Sequence, residues 1–125
     1  MGQCTGVQIG TAWVIRLEGW FISDQDAVLI QEAMANTPAD ARCVVVNWSG
    51  ILHINSTSLG AVMRGELDVT NQGRQYRNCA YSDRASRIVR IFRKNFPWNY
   101  YETEEQAVQA CSPTDADDAR PAVET

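Results

Sequence analysis

The chain has 125 residues, 45% of them hydrophobic and 21% charged, which is ordinary globular usage at the length of one domain. That composition excludes a disordered or collagen-like body, and no apolar run approaches the roughly 20 residues of a membrane span. The net charge of −4 is uneven: residues 74–94 carry seven bases against Asp83, while the flanking stretches are acidic. A nucleic-acid binder is usually basic as a whole, so one basic strip on an acidic body argues against that class.

The N-terminus, Met1 to Thr5, has neither the positive n-region nor the apolar h-region of a secretory signal, and the expectation is a cytoplasmic protein. The stretch Ala12 to Gly19 is rich in β-formers and predicts a strand. Ser23 or Asp24 can cap a helix running to about Asn36, with Ala27, Ile30, Ala33 and Met34 on one face and Pro38 barring its extension. Cys43 to Trp48 is a continuous apolar run suited to a central strand covered on both sides, broken by Ser49-Gly50.

After Ile51 to Ile54 comes a cluster of cap residues, Asn55-Ser56-Thr57-Ser58. Leu59, Val62, Met63 and Leu67 then share a helical face, and Gly73 closes that helix. Gly60 and Gly65 each cost roughly 1 kcal/mol relative to Ala and suggest close backbone packing. A third strand is expected over Arg77–Tyr81. Ser82-Asp83 caps the next helix, with Ala85, Ile88, Ile91 and Phe92 inward, Arg84, Arg87, Arg90 and Arg93 outward, and Pro97 at its end. Trp98 to Glu102 suits a short edge strand. Thr103-Glu104-Glu105-Gln106 opens a last helix through Ala110, its acids complementing the helix dipole. The expected domain is 1–111, with 112–125 a disordered acidic tail. Strands alternating with helices make this an α/β chain with a mostly parallel sheet of four to five strands and about four helices.

The four cysteines, Cys4, Cys43, Cys79 and Cys111, are widely spaced, and His53 is the only histidine. This is poor material for a metal site, and reduced core thiols are the expectation. No acid stands where it would complete a triad with His53 and Ser56, so neither an enzyme nor a cofactor is expected. Trp20, Phe21, Trp48 and Trp98 are core candidates, and an exposed Trp20-Phe21 pair would be an interface anchor. The arginine stripe would be a solvated face paired with acids such as Asp83, or would meet an acidic partner or a nucleic acid.

The strand-to-helix turn Ile54-Asn55-Ser56-Thr57-Ser58-Leu59-Gly60 concentrates hydroxyls at a helix N-terminus, where a phosphate is well held. With the strand ending in Gly19, the Asn47-Trp48-Ser49-Gly50 strand end, Gly73, Tyr81-Ser82-Asp83 and Thr103 to Ala107, it makes an ordered set of landmarks. On these the chain resembles, over roughly residues 12–111, the STAS domains, the family of bacterial anti-sigma-factor antagonists such as SpoIIAA.

The resemblance implies a regulator that binds an anti-sigma factor (a GHKL-type serine kinase), is phosphorylated by it at the position of Ser56, and is restored by a PP2C-type phosphatase. Thr57 and Ser58 are secondary acceptor candidates. Asn55, Ser56, Thr57, Ser58, Leu59, Asp24 and Trp20 form the expected partner-binding set. The alternative role is an unphosphorylated subunit of a stressosome-like sensory assembly or of a lipid-transport ABC complex. Asn47 and Asn55 stand where the family usually has aspartates, Ser58 replaces a glycine, and Ile22 falls where an acid is common, with Asp24 and Asp26 nearby. Asparagine keeps the shape of aspartate but not its charge, which bears on a kinase that reads the acid beside its acceptor. The oligomeric state is left open.

Overall fold

The sheet begins one strand earlier than the hydrophobic pattern indicates. In the computed structural model, which describes residues 1–92 and 100–111, β1 (Gly2–Ile9) pairs antiparallel along its whole length with β2 (Ala12–Phe21). The connecting turn is Gly10-Thr11, and of those two residues only Gly10 has a positive φ, 62°. That is the type II′ geometry, with glycine at the first central position. β1 escapes detection because it is an edge strand of two glycines and two glutamines, with few apolar side chains to alternate.

α1 (Asp24–Ala35), β3 (Cys43–Ile54), α2 (Ser56–Asn71), β4 (Gln75–Cys79), α3 (Asp83–Phe92), β5 (Tyr100–Tyr101) and α4 (Glu104–Ala110) follow among the described residues. The strand order is β1-β2-β3-β4-β5, with every pair after the first parallel, so the sheet is mixed and five-stranded. Phe92's side chain, Arg93, Pro97, Trp98 and the tail 112–125 lie outside the described residues.

Two boundaries differ from expectation for one reason. β2 continues past Gly19 to Phe21, and β3 continues through Ser49-Gly50, because β3 takes up one extra residue at each of two register shifts, opposite Arg16–Glu18 and opposite Gly19–Trp20. Gly50 does not break the strand; a Cβ there would lie 2.7 Å from Cγ of Glu18, so glycine permits the close approach.

Strand alternation sorts the interior into two layers. Ile15, Leu17, Phe21, Val44, Val46, Trp48, Ile51 and Ile54 meet α1, α2 and α3 on one face. Ala12, Val14, Cys43, Val45 and Cys79 meet α4 on the other. In α3 the buried stripe is Ala85 and Val89 with Ile88 partly buried, whereas Ile91 is 76% exposed. Six residues place Ile91 about 240° around the helix from Ala85, among the exposed Arg84 and Arg87.

The ends of α2 are closed as its sequence demands. Gly73 (φ 82°) donates to Thr70 O and Arg74 to Val69 O, the paired bonds of a Schellman cap. Of the two α2 glycines only Gly65 makes a close approach: a Cβ there would lie 2.6 Å from Cγ of Met34 on α1, while Gly60 faces open space. The cysteines are not four core thiols. Cys43 and Cys111 form a disulfide joining the start of β3 to the end of α4. Cys79 is a buried free thiol, and burial, with a smaller contribution from Glu104, pushes it up to about 12.

Candidate functional site

Two strand-to-helix loops meet at the carboxyl ends of β2 and β3. Phe21 O accepts the Asn55 N–H at 2.9 Å, so the loop entering α1 and the loop entering α2 run side by side. Crevices at the carboxyl ends of parallel strands are where α/β sheets commonly place their working loops.

Asn55 is the cap of α2: its side-chain oxygen accepts the Ser58 N–H at 2.8 Å. Asparagine and aspartate serve about equally well at that position, so the structural duty of the residue survives without its charge. Ser56 and Thr57 are exposed on the first turn of α2. Ser58 is 0% exposed and its hydroxyl has no hydrogen-bond partner; Leu59 is also buried, in the main core. In this conformation Ser58 and Leu59 are therefore closed to a kinase or a partner, because the helical turn that presents Ser56 and Thr57 outward turns the next two residues in. The accessible part of the turn is Asn55, Ser56 and Thr57.

The neighbouring loop is held by a residue not singled out from the sequence. Asp26 is 1% exposed, and its carboxylate accepts from Gly2 N–H (3.0 Å) on one oxygen and from Ile22 N–H, Ser23 N–H and Ser23 Oγ–H (each 2.9 Å) on the other. These donors hold its pKa well below the usual carboxylate range, the Gly2 bond most of all, against the opposing cost of burial. Ser23 Oγ in turn accepts from Asp26 N–H, completing a capping box for α1. The Ser-x-x-Asp spacing just before an apolar helical pattern was the available signal. Asp26 thus ties β1, the β2–α1 loop and α1 together, and exposed Asp24 follows directly from that anchored loop.

Asn47 does not belong to the turn. It lies on the α4 side of the sheet, where its Nδ2 donates to Glu104 Oε1 (2.9 Å) and its Oδ1 accepts Ser49 N–H. Arg16 grips the same Glu104 with two bonds of 2.9 and 2.7 Å. The guanidinium, and secondarily Asn47, lower the pKa of Glu104 against its partial burial. An aspartate at 47 would set a second carboxylate against Glu104. The neutral residue is accounted for locally, by its bonds to Glu104 and Ser49.

Trp20 and Phe21 part company. Phe21 is buried, whereas Trp20, one residue earlier, is on the opposite side of the sheet, 44% exposed, its ring 6.2 Å from that of His53. With exposed Leu52 beside it in β3, Trp20 marks the rim of the site rather than the turn itself. Arg84 also reaches this rim, donating to Leu52 O at 3.3 Å.

No family model matches the sequence, and no curated protein matches it. Its fold, however, is shared with solved structures, and it is that of the STAS domains and anti-sigma-factor antagonists. An anti-sigma-factor antagonist from Mycobacterium paratuberculosis superposes with a TM-score of 0.75 at 15% identity, covering 89% of this chain and 94% of that one. The Bacillus cell-fate determinant SpoIIAA in its phosphorylated form gives 0.63 at 18% identity, over 86% and 97% of the two chains. A sulfate transporter family protein from Wolinella succinogenes gives 0.69 at 14% identity, over 95% and 93%. Among the described residues no helix is long and apolar enough to cross a membrane.

Proposed function

We propose that this protein is a STAS-type interaction regulator acting as an anti-sigma-factor antagonist, which binds an anti-sigma serine kinase through the Ser56 turn and is released when Ser56 is phosphorylated. The observation that carries the reading is the exposure of Ser56 at the first position of α2, beside a neighbouring loop anchored by Asp26. Asn55 satisfies the Ser58 N–H, leaving the earlier N–H groups of the turn to face an added phosphate. A phosphate adds about −1.5 to −2 charges, enough to turn a neutral hydroxyl contact into a repelled and desolvated one. A phosphorylated form of a protein with this fold has been solved, which supports the chemistry. The reading makes the protein a cytoplasmic non-enzyme with a GHKL-type kinase and a PP2C-type phosphatase as partners.

The transporter-family neighbour favours a second reading, a STAS subunit of a membrane transport or sensory complex that needs no acceptor serine. Incubation with the anti-sigma kinase of the source organism and ATP, read by mass spectrometry, separates the two. One phosphate on Ser56, lost in Ser56→Ala, with Ser56→Asp failing to bind the kinase, is the expected result. An unmodified chain that instead co-purifies with a transporter ATPase or a sensory scaffold overturns the first reading in favour of the second.

A further inference from the structure

The first fifteen residues carry no charged side chain, and β1 lies within them. Natural sheets protect a long open edge with charges, proline, a bulge or brevity. β1 has none of these: it is eight residues long, contains no proline, and keeps an unbroken register with β2. The opposite edge strand, β5, spans only two residues.

The free side of β1 can be assigned residue by residue. Ile9 and Ala12 flank a two-residue turn and are therefore a mutually hydrogen-bonded pair, and pairing alternates from there. Val7, Thr5 and Gln3 bond to β2, whereas Gln8, Gly6, Cys4 and Gly2 turn their N–H and C=O groups outward. The Gly2 N–H obeys this parity and donates to Asp26. Three outward donors follow it, at Cys4, Gly6 and Gln8. The middle of the three is Gly6, against which the Trp13 indole packs: a Cβ there would lie 2.3 Å from the ring.

We propose that two copies of this chain pair through β1, antiparallel about a two-fold axis at Gly6, so that Cys4 bonds with Gln8 of the second copy and the two sheets become one. The occupant is a second copy because the strand is neutral and symmetric in its donors about Gly6. Elsewhere two acidic chains repel, and here they meet with no like-charge opposition. The partly buried Trp13 of each copy packs over Gly6 beside the axis, adding apolar surface there. The chain's own residues 112–125 are a poor alternative, since two prolines and four acids make weak ladder material.

Sedimentation of the full chain over graded concentrations tests this, with Gln8→Pro and the double variant Thr5→Lys/Val7→Lys as probes. The proline removes one outward N–H without touching the β2 ladder. The lysines face each other across the axis, position 5 opposite position 7 of the second copy. The expected result is a dimer whose dissociation constant rises at least tenfold in both variants, while circular dichroism stays native. In the unmodified chain, amide exchange at Cys4, Gly6 and Gln8 should slow as concentration rises, with Thr5 and Val7 indifferent. A monomer at every concentration overturns the proposal, as does a dimer whose edge amides exchange at a rate independent of concentration. Occupancy of the edge by a strand of a different protein overturns it too.

Discussion

Replacing Asp26 by asparagine isolates the most concentrated polar feature of the structure. The variant's one side-chain oxygen can keep the Ile22 N–H, Ser23 N–H and Ser23 Oγ–H bonds, but its NH2 group then meets the Gly2 N–H, so one of the four accepted bonds is lost and the other three lose their charge. A bond to a charged group contributes about 1.5–3 kcal/mol and a neutral one about 0.5–1.5 kcal/mol, so one lost and three weakened bonds, less what loop relaxation recovers, should cost about 3–4 kcal/mol. For a chain of this size that lowers Tm by about 10–15 °C.

The pH dependence has a definite sign. Asp26 is more acidic folded than unfolded, so its contribution is complete above the ordinary aspartate range and is lost as pH falls through about 4 toward the native value. Urea melts of both chains at pH 7, 5, 4 and 3 should show the gap between them narrowing only at the acidic end. A cost below about 1 kcal/mol at pH 7, or a gap as wide at pH 3 as at pH 7, would refute the assignment of Asp26 as the ionised clasp of the β2–α1 loop.

Three further outcomes follow from particular contacts. Cys111→Ala, or full reduction, opens a crosslink spanning 68 residues and should cost about 2–4 kcal/mol, read by denaturant melts; thiol titration of the unreduced protein in denaturant should find two free cysteines rather than four. Asn47→Asp places a carboxylate on Glu104 and should destabilise by about 1–2 kcal/mol near neutrality, an effect that shrinks as acid neutralises the pair; equal stability at pH 7 would contradict the geometry. Gly60→Ala should stabilise the protein by up to about 1 kcal/mol, because the site is open, whereas Gly65→Ala should forfeit that gain against Met34; thermal melts of the two single variants make the comparison.

The extent of α1, α2 and α4 was legible because caps and periodicity are local signals: Ser23, Asn55, Thr103 and Gly73 each act on groups within four residues of themselves. The central apolar strand and the Ser56 turn were legible for the same reason. The long-range features were not. β1 becomes a strand only by borrowing the ladder of β2, and Gly50 continues a strand only because β2 approaches it closely. Ile91 and Val89 are both apolar, and which of them is buried depends on how α3 sits on the sheet.

The turn shows the same division within five residues. Sequence by itself determined that Asn55-Ser56-Thr57-Ser58-Leu59 would cap and begin a helix, since a side-chain oxygen needs only the N–H three residues on. Tertiary structure decided which hydroxyls a partner can reach, because packing of α2 on the sheet takes Ser58 and Leu59 inside and leaves Ser56 and Thr57 in water. It also separated Asn47 from that turn, on the far face of the sheet with Glu104, and brought Asp26 to the end of β1. Burial and partnership depend on what arrives from distant parts of the chain, and spacing along the sequence carries no record of that.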